Sequence, residues 1–274
     1  MKRILALALT LVLSLGVVFA AGQESYAASS GKLIKKVTHY YKSGSKWKKY
    51  STTSYTYNSK KDPVKIVISG KYYGSTTSKT VYTIKYKYTD GKKTEARTYV
   101  KYPENDKSAL ETIVTYDSKG RRKTITFVDP EDEDMVFSKQ TYVYGKNGYV
   151  KKIKGDYGDT VIKYSWNKKK PKVLKSWLKY DGGKAKQSYV KFNKKGFIEK
   201  PRVYTQADPV MIYTYKYKKG MVNTINLEMQ EGYDRYYEKD VITYTKKSIS
   251  STRYRAMIND IIDSDPMVTG TTWY

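Results

Sequence analysis

One stretch constrains the fold of this chain more than any other. Residues 114–128 read VTYDSKGRRKTITFV. Side chains alternate along a strand, so Val114 and Tyr116 lie on one face. Asp117-Ser118-Lys119-Gly120 suits a type I turn, with the acid first and a glycine free to take positive φ as a bulge. On the return strand, Lys123, Ile125 and Phe127 share a face and Thr124 and Thr126 take the other. This is a β-hairpin written in thirteen to fifteen residues, and it is not alone.

An aromatic residue stands before a polar turn again and again: Tyr57, Tyr88, Tyr116, Tyr144, Trp166, Phe192, Tyr217 and Tyr244. These anchors recur with a mean spacing of about 27 residues, the period of a repeat architecture in which each unit is one supersecondary element. Short turns alternate with more variable connections, such as Asp129–Asp134 and Gly155–Asp159, as in an antiparallel meander. The expected fold is therefore all-β: about eight Tyr-rich hairpins joined into one curved sheet or a flattened sandwich, with anchor rings inside and Lys/Thr faces outside. Near the C-terminus, Arg255–Asp263 places Met257, Ile258, Ile261 and Ile262 at helical spacing. A short helix there is expected to cover the last strand, with Asp265-Pro266 as its stop and Trp273-Tyr274 docking the tail.

The first residues follow a different grammar. Lys2 and Arg3 precede an apolar run from Ile4 to Ala20, and small residues follow through Ala28, the pattern of a cleaved secretory signal peptide. The expected organisation is a signal peptide over 1–27, a hairpin domain over 28–254 and a capping helix and tail over 255–274. No later stretch is apolar enough to cross a bilayer as a helix. The chain has no cysteine, hence no disulfide in an oxidising destination and no lipid-anchor cysteine at the cleavage site. It carries 31 tyrosines against 5 phenylalanines, so its core hydroxyls need partners.

Tyr116-Asp117-Ser118-Lys119-Gly120-Arg121 resembles the YD repeat of Rhs-type bacterial proteins. Phe192-Asn193-Lys194-Lys195-Gly196 keeps the frame with Asn for Asp, and Tyr144-Gly145-Lys146-Asn147-Gly148 keeps the final glycine. The resemblance implies hairpins joined into a long sheet that curls.

Catalytic chemistry has little material. The single histidine, His39, sits in the first predicted strand without a nucleophile motif, and a structural or exposed role is expected for it. One histidine and no cysteine speak against zinc, and Asp129–Asp134 lacks the ligand spacing and central glycine of an EF-hand loop. No cofactor or metal is expected. The informative quantity is charge: 53 Lys and Arg against 26 Asp and Glu, a formal net of +27. Beside the anchors, Lys85, Lys87, Lys163, Lys191 and Lys216 occupy the opposite face, so strands paired in order would present a cationic surface to polyanions. Lysine outnumbers arginine, which disfavours nucleic-acid reading. The expected function is a secreted, non-enzymatic structural or binding protein of the extracellular space or cell wall, with partners among anionic cell-wall polymers, acidic glycans and anionic surfaces. Two alternatives stand beside it. One is an outer-membrane β-barrel. The other is a glycan-active enzyme or carrier, which would require an acid pair converging in an internal cleft.

Overall fold

The computed structural model describes residues 31–70, 77–129, 132, 135–146, 148–156, 158–167, 170–203, 210–231 and 233–262. The signal segment, Asp263, Asp265 and Trp273-Tyr274 lie outside them. The described residues form sixteen strands and one helix. The strands are β1 (Gly31–Ser43), β2 (Lys46–Tyr57), β3 (Pro63–Gly70), β4 (Ser78–Thr89), β5 (Lys92–Lys101) and β6 (Ala109–Tyr116). They continue as β7 (Arg122–Val128), β8 (Val136–Tyr144), β9 (Val150–Gly155), β10 (Gly158–Asn167) and β11 (Lys170–Tyr180). The last are β12 (Gly183–Phe192), β13 (Ile198–Val203), β14 (Val210–Lys218), β15 (Met221–Glu231) and β16 (Asp234–Ile249), followed by helix α1 (Ser251–Ile262).

All sixteen belong to one antiparallel sheet, ordered from β13 down to β1 and then β16, β15 and β14. Because β1 pairs with both β2 and β16, the first and last strands meet inside the sheet. The two remaining edges, β13 and β14, then come to lie side by side. The sheet is thus a nearly closed barrel, not a sandwich, and the meander is broken at one place. At about 4.8 Å per strand, and with the tilt of roughly 35–45° that closure requires, sixteen strands give a barrel about 30–35 Å across between backbones.

The hairpin grammar explains the wall. In seven hairpins the register slips by one residue just before the anchor aromatic, at Tyr57, Tyr88, Tyr116, Tyr144, Trp166, Phe192 and Tyr217. The slip sets the anchor opposite the first inward residue after the turn: Pro63, Lys93, Arg122, Val150, Pro171, Ile198 and Val222, all buried. Such a bulge tightens the twist and re-aims side chains. It also corrects the simple alternation read from sequence, since Arg122 points inward beside Tyr116 while Lys123 is exposed. Asp117 Oδ1 accepts the N–H groups of Lys119 and Arg121 at 2.9 Å each, and Gly120 takes φ 73°. Asn193 accepts from Lys195 and Phe197 at 2.9 and 3.2 Å in the corresponding turn.

A second device fastens neighbouring strands. The hydroxyls of Tyr57, Tyr86 and Tyr144 donate to the carbonyls of Ile34, Pro63 and Arg122 at 2.8, 2.9 and 2.6 Å. Tyr244 donates to Val222 and Tyr215 to Ile198 in the same way. Tyrosine is preferred over phenylalanine here because its ring fills the bore while its hydroxyl satisfies a backbone carbonyl. Of the eight anchors only Tyr217 is largely exposed, with Lys195 Nζ 3.5 Å above its ring centroid.

Helix α1 begins four residues before the helix expected from sequence, because Ser250 caps it: Ser250 Oγ accepts from Arg253 N at 3.2 Å. The expected boundary between 254 and 255 therefore falls inside the helix. The helix touches the last strand through Tyr254, whose hydroxyl lies 3.1 Å from that of Tyr244. It enters the turn-bearing end of the barrel and closes it. Tyr254 accepts from Val222 N at 2.6 Å and packs where Gly31 has no side chain, since a Cβ there would sit 2.4 Å from the Tyr254 Cβ. Asn259 accepts from Ile198 N at 3.0 Å and donates to Gly196 O at 3.2 Å. The connection from Gly155 to Asp159, expected as a variable loop, is a tight turn in which Gly155 pairs with Gly158.

Candidate functional site

Three parts of the barrel gather polar chemistry: the plugged end, the inner wall around His39, and the outer wall. At the plugged end, Lys93 Nζ lies 3.0 Å from Asp62 Oδ1 and Arg253 lies 3.6 Å from the same oxygen, with every partner at most 11% exposed. Tyr88 donates to Asp62 Oδ2 at 2.9 Å, and Arg253 donates to Lys61 O at 2.6 Å. Burial lowers the Lys93 ammonium to about 8 against the opposing pull of Asp62. Asp260, deep in the same end, is pushed by burial up to about 7. Through Arg253, the pairing about Asp62 holds the helix in the bore.

Farther along the inner wall, His39 Nδ1 lies 2.7 Å from Asp240 Oδ1 and Nε2 lies 3.1 Å from Thr53 Oγ1. With Nδ1 protonated against the carboxylate, Nε2 accepts the threonine hydroxyl. Asp240 is two residues from Glu238 on β16, so both carboxyls face the lumen. Burial first, and then the Asp240 charge, raises Glu238 to about 6, while the His39 charge and then a hydrogen bond from Tyr50 pull the other way. The rings of Tyr41 and Tyr50 stand 6.1 Å apart and His39 stands 5.9 Å from Tyr50. Sequence reasoning left His39 without an orienting partner, because Asp240 is 201 residues away and meets it only through the β1–β16 pairing. Among the described residues no group of three or more His, Asp or Glu converges as a metal site.

The outer wall carries the expected lysines, and it separates them. Lys85 and Lys87 lie on β4, Lys163 on β10, Lys191 on β12 and Lys216 on β14, with five strands between the first pair and Lys163. They do not form one ladder. On β4 and β5, Lys87 pairs across from Glu95, which also holds Arg97 at 2.8 Å. The wall over β6–β8 is lined with threonine: Thr115 pairs with Thr124, and Thr124 with Thr141. Lys163 and Lys191, by contrast, fall in a dense basic field over β9–β13. There Lys163 faces Lys175, Lys179 faces Lys184 and Lys191 faces Lys200 directly across strands. Lys152, Lys154 and Lys186 add to the same face, and the acids there are Asp159, paired with Lys152, and Glu199, 3.2 Å from Lys191. Trp177 and Tyr189 stand among them. The Lys163 and Lys184 ammoniums lie 5.8 and 4.6 Å from the Trp177 ring, and Lys175 lies 5.9 Å from Tyr189.

The molecule is thus a nearly closed antiparallel β-barrel with a helix seated in one end and a lysine-bearing outer wall. Among solved structures, a porin-like protein from Bacteroides uniformis has a similar fold, with a TM-score of 0.52 at 15% identity over 77% of this chain and 96% of that one. The Photorhabdus luminescens Tc holotoxin pore aligns with 73% of this chain and 13% of its own at 9% identity and a TM-score of 0.26, too low to bear on the fold. No protein-family model matches the chain, and no curated protein matches it in sequence.

Proposed function

We propose that this is an extracytoplasmic binding barrel whose outer wall faces water and engages anionic polymers or surfaces. The observation that carries the reading is the outward placement of Lys85, Lys163 and Lys175 on strand faces that a membrane barrel would give to lipid. A lysine facing the bilayer midplane costs about 2–4 kcal/mol. The chain's formal net charge of +27 creates an attractive potential for polyanions that is screened beyond about 8–10 Å at physiological salt. The signal-like N-terminus supports a destination outside the cytoplasm.

The outer-membrane barrel is the second reading. Its support is the fold shared with the porin-like protein and a strand number of sixteen, at which porins leave an aqueous channel. One experiment addresses the first reading: the mature chain is passed over immobilised phosphate-, sulfate- and carboxylate-bearing polymers at low salt and eluted with rising salt. Retention that falls with salt on at least one of them is expected. Passage through all of them at low salt overturns the proposal.

A further inference from the structure

We infer that the outer face of β9–β13 is a docking surface for a linear, densely charged, phosphate-bearing polymer. The inference rests on the reading of the wall as water-facing and polyanion-binding, and it names the site and the partner. Like charges directly opposite one another across strands are destabilising. This face nevertheless sets Lys163 against Lys175, Lys179 against Lys184 and Lys191 against Lys200. Strand neighbours lie about 4.8 Å apart and same-face residues about 6.8 Å apart along a strand, so the ammoniums form a close two-dimensional array. Two acids, Asp159 and Glu199, neutralise only a part of it. The neighbouring β6–β8 wall meets the same solvent with threonines and only two exposed lysines, Lys123 and Lys139, so solubility does not demand the array.

The aromatic rings explain how the array persists in the unbound protein. Lys163 and Lys184 approach the Trp177 ring and Lys175 approaches Tyr189, so the π faces offset repulsion and hold the cations at the surface. The ammoniums are therefore already ordered when a partner arrives, which lowers the entropic cost of docking. Lysine presents a point charge with three donors, suited to successive phosphate oxygens along a chain, where planar bidentate recognition would call for arginine. A polymer with a charge at every unit matches the spacing of this array; one with a single carboxylate per disaccharide leaves most of the cross-strand lysines unmatched.

The test compares two charge-matched triple variants of the mature chain, K163S/K175S/K184S on this face and K65S/K79S/K101S on the β3–β5 wall. Each is first checked by thermal melting for an intact fold. Affinity for inorganic polyphosphate, hyaluronan and orthophosphate is then measured against salt. The expected result is that the β10–β12 triple loses about tenfold or more in polyphosphate affinity, with the salt slope shallower by about 2, while the β3–β5 triple stays within about twofold of wild type. Hyaluronan and orthophosphate bind far more weakly. Equal losses in both triples overturn the site while leaving a generally basic wall in place. Hyaluronan binding as tight as polyphosphate overturns the partner. Absence of wild-type binding to any polyanion removes the underlying functional reading as well.

Discussion

The hydroxyl of Tyr215 on β14 donates to the backbone carbonyl of Ile198 on β13, bridging the one place where neighbouring strands share no backbone ladder. Asn259 of the helix accepts the N–H of that same Ile198. Both backbone groups that an edge strand would offer to a foreign chain are thereby occupied by side chains. Pro201, also in β13, has no N–H to offer. The barrel is closed at its seam by the same tyrosine clasp that elsewhere reinforces a complete ladder, and it needs the helix to finish the closure.

Replacing Tyr215 with Phe should therefore do more than remove one hydrogen bond. A loss of about 1–2 kcal/mol in global stability is expected from the orphaned carbonyl. Hydrogen exchange should in addition speed up along β14 selectively. The Tyr57→Phe variant is the control, because β1 and β2 keep their ladder; there the stability loss should come without selective opening of either strand. Equal exchange behaviour in the two variants would argue that the seam is not held by the clasp.

Asp62 is the hub of the ion cluster beneath the helix. Its replacement by Ala strands two cations, Lys93 and Arg253, in a buried place, and a loss of about 3–5 kcal/mol is expected in denaturant unfolding. A loss under about 1 kcal/mol would mean that water reaches the cluster and screens it.

Glu111 gives the fold a pH dependence of known sign. Burial raises its carboxyl to about 7, with a partly opposing hydrogen bond from the Tyr102 hydroxyl at 3.2 Å. Its folded-state pKa lies above its unfolded value near 4.5, so the folded protein holds the extra proton between those two values. Its contribution to stability is present below about pH 4.5 and is lost as pH rises through 7. The difference in unfolding free energy between wild type and Glu111→Gln should fall by roughly 2–3 kcal/mol between acid and neutral pH, because each pKa unit corresponds to about 1.4 kcal/mol. A difference independent of pH would show that Glu111 ionises freely. Taking the difference removes the self-repulsion of the remaining charges, which also changes with pH.

How far the chain announces this structure depends on which interaction decides each element. The hairpins were legible because their determinants are local: Asp117 and Gly120 shape one turn, Asn193 and Gly196 another, and the anchors mark where strands end. Barrel closure was not legible. It depends on β1 accepting β16 and on Tyr215 finding Ile198, and the rings of Tyr215 and Tyr213 carry no mark that distinguishes them from other inward tyrosines. The helix was visible in Met257, Ile258 and Ile262, but its destination was set by Tyr254 and Asn259, two polar contacts invisible to hydrophobic periodicity. The lysine field was half legible. Lys163 and Lys191 lie in it, whereas Lys175, Lys179 and Lys184 emerge only from the strand registers, and Lys85, Lys87 and Lys216 stand elsewhere on the wall.

The carboxyl pair on β16 offers a check on the inner wall. Asp240→Asn removes the neighbouring charge that helps to raise Glu238, so the Glu238 carboxyl should titrate lower than in the wild-type protein. Carboxyl carbon shifts followed by NMR through acid pH report this directly. An unchanged Glu238 titration would separate the two groups and remove the idea of a coupled pair.

The most direct test of the account is where the folded mature chain resides when offered both water and lipid. The protein is refolded or purified without detergent, mixed with zwitterionic vesicles so that charge attraction plays no part, and separated by flotation. The outward lysines predict a folded, strand-rich protein that stays in the aqueous fraction. Recovery of the folded barrel only with the vesicles, or only in detergent, would contradict a water-facing wall.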